Sequence, residues 1–303
     1  IDVIFKPLID MALSRKSLKK LDWVYPILEE FEEFIPLTVR QIYYQLVGKN
    51  LIENNVNSYK QISDLLSKAR QQGYIHWDVI VDRTREFHNN SGYNNTNHFI
   101  GHQSDIFLEG YYRNLMQSQP NYYEIWIEKD ALSSIFKKIA DIYTIPVTVC
   151  KGFVSTTFLN DYYNRAIESG KNPVILYFGD FDPSGCAMPV SIKKNLFEMG
   201  LDVSVQRVAL QYSDIFDYNL PNNPKALKLS DSNAPKFIEQ YGYISAELDA
   251  LKPYVLESKI ESAIDRRIDL SAYQNELEIQ ENELNEIWEK KVKVISLLKK
   301  GDK

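Results

Sequence analysis

Residues 173–179, PVILYFG, form an unbroken apolar, β-branched run, the pattern of a strand buried on both faces. It lies in a stretch where strand and helix signals alternate. YYEIWI (122–127), PVTVC (146–150) and DVSVQRVAL (202–210) read as further strands. ALSSIFKKIADI (131–142), TFLNDYYNRAIES (157–169) and MPVSIKKNLFEMG (188–200) have helical spacing, the last two closing at Gly170 and Gly200. Such alternation predicts an α/β fold with a mostly parallel sheet and helices on both faces.

FGDFDPSG (178–185) follows the buried strand. In an extended segment Asp180 and Asp182 project the same way, at the C-terminal edge where open α/β sheets place their ligands. Two adjacent carboxylates repel unless a cation or a shared proton compensates, which points to Mg²⁺, with Mn²⁺ as a substitute. Helix capping is the competing reading. A half EF-hand is rejected, because the twelfth position is Ser191 and a strand precedes the loop. An Asp that accepts phosphate finds no other support. Glu128 ends the 122–127 strand and is expected at the same rim, and Lys129 beside it can reach a phosphate as a point charge.

The first 120 residues differ in kind. A basic amphipathic helix is expected between 6 and 33. Thr38 can cap a helix over TVRQIYYQLVG, and Ser58 a second over SYKQISDLLSKARQQG. WDVIVD (77–82) reads as a strand and the Asn-rich stretch 89–97 as a loop tip, together resembling a winged helix-turn-helix. Residues 211–255 form a Pro- and Asn-punctuated connector. From 256 onward the chain is helical, acidic from Glu276 to Glu289 and basic from Lys290 to Lys300. Leu277, Leu284, Ile287, Val294 and Leu298 make a broken apolar stripe there, suited to intramolecular docking or to a dimer coil. The expected division is 1–120, 121–255 and 256–303.

A Glu ending one strand, a Gly-containing turn (CKGFVS, 150–155) and DFDPSG after another strand resemble the Toprim domain. The order of parts over residues 36–250 is similar to the topoisomerase VI A subunit and the related meiotic double-strand-break protein. That resemblance implies a winged-helix domain ahead of a Rossmann-like Toprim domain, with catalytic Mg²⁺ on Glu128, Asp180 and Asp182. It also implies a Tyr nucleophile in a helix reading roughly R-[DE]-x-[YF]-Y. Arg40-Gln41-Ile42-Tyr43-Tyr44 matches, with Gln41 in place of the acid. Val39, Ile42, Tyr43 and Leu46 form a core-facing stripe, so Tyr43 is the packing residue. Tyr44, about 100° further round, shares its face with Arg40 and is the candidate nucleophile. A Tyr hydroxyl titrates near pH ~10, so it needs help, and Arg40 can favour the phenolate.

The implied activity is DNA cleavage through a covalent phosphotyrosyl intermediate, by a homodimer in which Tyr44 of one subunit serves the other's metal site. The resemblance also implies a separate ATPase B-type partner, since no phosphate-binding loop occurs in this chain. The alternatives are a Toprim nuclease that uses water, and a DNA-binding module without catalysis. Lys60, Lys68, Arg70, Arg83, Arg85 and Lys129 are the candidate contacts to duplex DNA. A net charge of −6 does not oppose this, because cations gather early in the chain, as in LSRKSLKK (13–20). His98 and His102 lack partners for a zinc set. Glu247 and Asp249, in AELDAL, resemble an acidic piece downstream of such domains and receive no role. The opening IDVIFKPLID reads as neither leader nor signal peptide, and its missing Met suggests a trimmed start. Two cysteines are too few for a disulfide framework, and no apolar run could span a membrane, so the expected compartment is the cytoplasm, on the nucleoid in a prokaryote.

Overall fold

The computed structural model describes residues 13–81, 92–150, 152, 154–224, 227 and 230–300. Four strands, β1 (Asn121–Ile127), β2 (Val147–Val149), β3 (Asn172–Phe178) and β4 (Ser204–Ala209), form one sheet in the order β2-β1-β3-β4. Every pairing is parallel. Each strand lies within two residues of its expected position. The chain leaves β1 toward β2 on one side and β3 lies on the other, so β1 and β3 flank the point where the strand order reverses. That is where open sheets of this kind open a crevice at their C-terminal edge.

Helices α5 (Ser133–Tyr143), α6 (Thr156–Ser169) and α7 (Pro183–Glu198) make the crossovers. Alternation along the strands divides the core between two faces. Trp126, Ile175 and Tyr177 pack with Leu159 and Tyr162 of α6 and Met188 and Ile192 of α7. On the other face Phe178 meets Phe136 of α5, with ring centroids 4.8 Å apart. One carboxylate lies inside this core. Glu124 on β1 is fully buried and accepts from Tyr122 Oη (2.6 Å), Trp126 Nε1 (2.9 Å), Thr148 Oγ1 (3.2 Å) and Arg165 Nε (2.8 Å). A buried charge of this kind is tolerable because its lone pairs are satisfied.

Ahead of the sheet run α1 (Arg15–Glu30), α2 (Val39–Gly48) and α3 (Val56–Gln71). Residues 6–12 of the expected first helix lie outside the described residues. Thr38 caps α2 as expected, and Gln41 returns the bond to Thr38 N at 2.8 Å, closing a capping box. The residue that replaces the usual acid of the tyrosine motif thus starts the helix. The cap of α3 is Asn55, whose side chain accepts from Ser58 N at 2.8 Å; Ser58 lies inside the helix. The strand expected at 77–82 is absent over the described residues 77–81. Trp77–Val79 is a 3₁₀ turn that His76 caps by accepting from Asp78 N, and only Ile80 bridges, to Leu37. With one neighbouring strand residue, no ladder can extend.

The chain forms two compact units, 1–84 with 121–264 and 85–120 with 265–303. In the first, α2 packs on α1, α3 and the 3₁₀ turn Leu248–Ala250, so the early helices share a body with the sheet. Helices α8 (Tyr212–Asp217), α9 (Ala234–Tyr241) and α10 (Pro253–Asp265) follow β4. In the second unit, α4 (Thr96–Ile106) and the segment after it join α11 (Leu270–Lys300). Arg113 Nε and Nη1 bond Glu276 (2.6 Å) and Glu283 (2.7 Å), and Lys291 Nζ bonds Glu109 (2.8 Å). Among the described residues no helix is long and apolar enough to cross a membrane.

Candidate active site

Arg40, Tyr44, Glu128, Asp180, Asp182 and Glu247 line one cleft of about 540 Å³ within the first unit. The C-terminal ends of the two central strands and two helices, α2 and α3, build it. Glu128 follows β1 directly, and Asp180 and Asp182 follow β3 beside it. The backbone ties the edges together: Glu128 N donates to Phe178 O (2.9 Å), and Asp180 N donates to Glu128 Oε2 (3.1 Å). Gly179 makes the approach possible. A Cβ at that position would lie 2.7 Å from Glu128 Oε2 and 2.7 Å from Tyr177 Oη. Gly185 is required as well, since its Cβ would fall 2.3 Å from Asp180 O. Arg207 on β4 fixes the loop by donating to the carbonyls of Gly179 (3.1 Å), Gly185 (2.6 Å), Leu210 (2.8 Å) and Asp180. It went unassigned in the sequence, although a lone Arg in an apolar strand was a usable signal.

The three expected metal ligands meet in this cleft in different states. Asp182 caps α7, its Oδ1 accepting from Gly185 N at 2.6 Å, so the capping reading holds for that residue. Asp180 Oδ1 accepts from Leu248 N (2.7 Å) and faces Lys129 Nζ (3.0 Å). Burial and the nearby Asp249 and Glu128 push Asp180 up to about 7, although Lys129 pulls the other way. Burial, reinforced by the charge of Asp182, raises Glu128 above the usual carboxylate range. Buried carboxylates with raised pKa values form an environment that a cation would relieve.

Lys129 lies inward, its side chain 13% exposed. Its ammonium meets Glu247 Oε2 and Asp249 Oδ1 at 2.7 Å each, besides Asp180. Arg40 closes the same network through Nε to Asp249 Oδ2 (2.9 Å) and Nη2 to Glu247 Oε2. Two cations thus serve three acids. Burial would raise Glu247, but Lys129 and Arg40 hold it down at about 2. Glu247 and Asp249, left without a role from the sequence, are the partners that organise both cations.

Tyr43 and Tyr44 are both buried, at 3% and 4% exposure, with rings 5.1 Å apart. Tyr43 Oη donates to Asn54 Oδ1 (3.1 Å) at the start of α3. The Tyr44 hydroxyl bonds Glu247, and the Arg40 guanidinium carbon lies 5.9 Å from the Tyr44 ring centre. Burial, then the Glu247 bond and the Glu247 and Asp249 charges, raise the Tyr44 pKa, opposed by Arg40. Tyr44 shares the cleft with the carboxylates of its own chain.

The expected DNA contacts divide. Lys60 and Lys68 are exposed on α3. Arg70 is half-buried, donating to Ile80 O (3.2 Å) and stacked over Trp77 at 5.2 Å. Arg83 and Arg85 lie outside the described residues. His102 bonds Tyr93 Oη at 3.1 Å in the second unit.

The donor chemistry fits a hard divalent ion, since the carboxylates offer only oxygen. The shell is not preassembled: among the described residues no three His, Cys, Asp or Glu converge to hold a metal. Lys129 and an incoming ion would compete for Asp180. The residues therefore fit Mg²⁺ or Mn²⁺ in donor type. No family model and no curated protein matches this chain.

Proposed function

We propose that this chain is a metal-dependent DNA-cleaving enzyme of the topoisomerase VI A kind, with Tyr44 as the nucleophile. The observation that carries the reading is the convergence of Tyr44, Arg40, Glu128, Asp180 and Asp182 on one cleft at the reversal point of a parallel sheet. In this reading the first unit combines a winged-helix element, whose exposed Lys60 and Lys68 on α3 meet the phosphate backbone, with a Toprim domain.

Tyr44 Oη attacks phosphorus, the new P–O bond forms as the bond to the 3′ oxygen breaks, and that oxygen leaves as a free 3′-OH after gaining a proton. The proton that Tyr44 Oη gives up balances the one that the leaving 3′ oxygen gains, and Glu247, held at about 2, orients the hydroxyl rather than keeping its proton. Arg40 stabilises the phenolate and binds a phosphate oxygen, exchanging a carboxylate partner for the substrate. Glu128, Asp180 and Asp182 would hold a divalent ion, which when bound orients the phosphate and offsets charge on the leaving oxygen.

A second reading, hydrolysis by water, is favoured by the buried Tyr44 hydroxyl and its raised pKa. Supercoiled plasmid incubated with Mg²⁺ or Mn²⁺, stopped with detergent and run with and without protease, separates the two. Cut DNA that enters the gel only after proteolysis, and is lost in Tyr44→Phe, supports transesterification. Cutting indifferent to protease and retained in Tyr44→Phe supports hydrolysis. No metal-dependent cutting by either route refutes both.

A further inference from the structure

The second unit carries a surface that its own fold leaves uncovered. Among the described residues its buried apolar side chains are Leu115, Met116, Ile268 and Tyr273, all near one end. Helix α4 buries no residue, and no described residue from 92 to 112 is buried. A helix of 11 residues is marginal in water without a packed face.

Helical spacing of 100° per residue resolves two stripes on α11. The first runs through Glu276, Gln280, Glu283, Ile287 and Lys291. The unit uses it, since Arg113 bonds Glu276, Gln280 and Glu283, and Lys291 bonds Glu109 and Asp105 O. The second stripe lies about a quarter turn away and runs through Leu277, Leu284, Trp288, Val292 and Ile295. Leu284, Trp288 and Val292 are 42%, 64% and 50% exposed. Three large apolar side chains in a row on a charged helix are the mark of a contact surface. The apolar stripe read from the sequence mixed the two, because Ile287 and Val294 belong to the first side and Leu277 and Leu284 to the second.

Charge decides what covers the second stripe. Residues 276–289 carry six Glu and no Lys or Arg, whereas residues 290–300 carry five Lys and no acid. We infer that α11 is a self-association surface on which two copies of this chain pair antiparallel, about a two-fold axis beside Trp288. Antiparallel pairing lays each acidic half along the other copy's basic half. Parallel pairing would set Glu run against Glu run and Lys run against Lys run. The charge reversal falls between Glu289 and Lys290, one residue from the exposed Trp288. Placing the axis there sets Leu284 of one copy opposite Val292 of the other, twice, and closes the assembly at two. The inference stands apart from the chemistry of the cleft.

The full chain, run by sedimentation equilibrium, is expected at twice the 35.3 kDa chain mass. Trp288→Glu is expected at the monomer mass with unchanged circular dichroism, since the residue is exposed. Orientation is read by cross-linking on a non-reducing gel against the wild-type chain. Trp288→Cys should link to itself, and Leu284→Cys and Val292→Cys should link when mixed, each alone remaining unlinked. A monomeric wild-type chain, a Trp288→Glu dimer, or Leu284→Cys linking to itself would each overturn the proposal.

Discussion

Replacing Asp180 by Asn is expected to make the protein more stable while removing one of the proposed metal ligands. The magnitude follows from the raised pKa. Asp180 sits at about 7 in the folded chain against the ordinary 3.8, so at pH values above both, its ionised form opposes folding. Each unit corresponds to ~1.4 kcal/mol, giving roughly 4 kcal/mol at about pH 8. The sign is that of a group whose folded pKa is raised: its contribution is most favourable below 3.8 and is lost as pH rises through 7. At about pH 5.5 only part of the penalty has accrued, roughly 2 kcal/mol. Asn keeps an acceptor for Leu248 N, and Lys129 keeps Glu247 and Asp249. Urea unfolding of both proteins in chelator at the two pH values is the assay. A gain that grows with pH is expected. Asp180→Asn no more stable than the parent at the higher pH, or a gain equal at both, would refute the reasoning. Functional groups held in unfavourable surroundings give this pairing of added stability with lost activity.

Gly179→Ala drives a methyl group into Glu128 Oε2 and Tyr177 Oη; a loss of about 1–3 kcal/mol in thermal or urea unfolding is expected, with weakened Mn²⁺ binding by calorimetry. Arg165→Met leaves the buried Glu124 without its ionic partner, costing about 3–5 kcal/mol, and the double variant with Glu124→Gln should recover much of that loss. Glu247→Gln removes a carboxylate held at about 2 against the ordinary 4.5. Its stabilisation is present above 4.5 and lost as pH falls through 2, so the variant should be about 3 kcal/mol less stable at neutral pH and about 1 kcal/mol at about pH 3.

The strands and crossover helices were legible because they depend on local patterns: PVILYFG reads as buried on both faces wherever it stands. Asp180 and Asp182 were legible for the same reason, since a D-x-D after such a strand has one place to go. What could not be read is what long sequence separations decide. Lys129 looks like a free phosphate contact beside Glu128, but Glu247 and Asp249, some 120 residues on, claim its ammonium. The pairing of 85–120 with 265–303 rests on Arg113, Glu276 and Glu283, which nothing local links. At the start of α3, Asn55 and Ser58 are both competent caps, and only the backbone path selects Asn55.

Glu124 has a bearing on the cleft although it never touches it. Sliding β1 by one residue against its neighbours would turn Glu124, together with Tyr122 and Trp126 of the same strand, away from Arg165 of α6 and Thr148 of β2 and toward the face packed by Phe136, so its charge would lose its cation. The same slip would carry Glu128 away from Asp180 N. The carboxylate inside the core therefore proofreads strand alignment against a one-residue slip, and so helps to keep Glu128 at the rim.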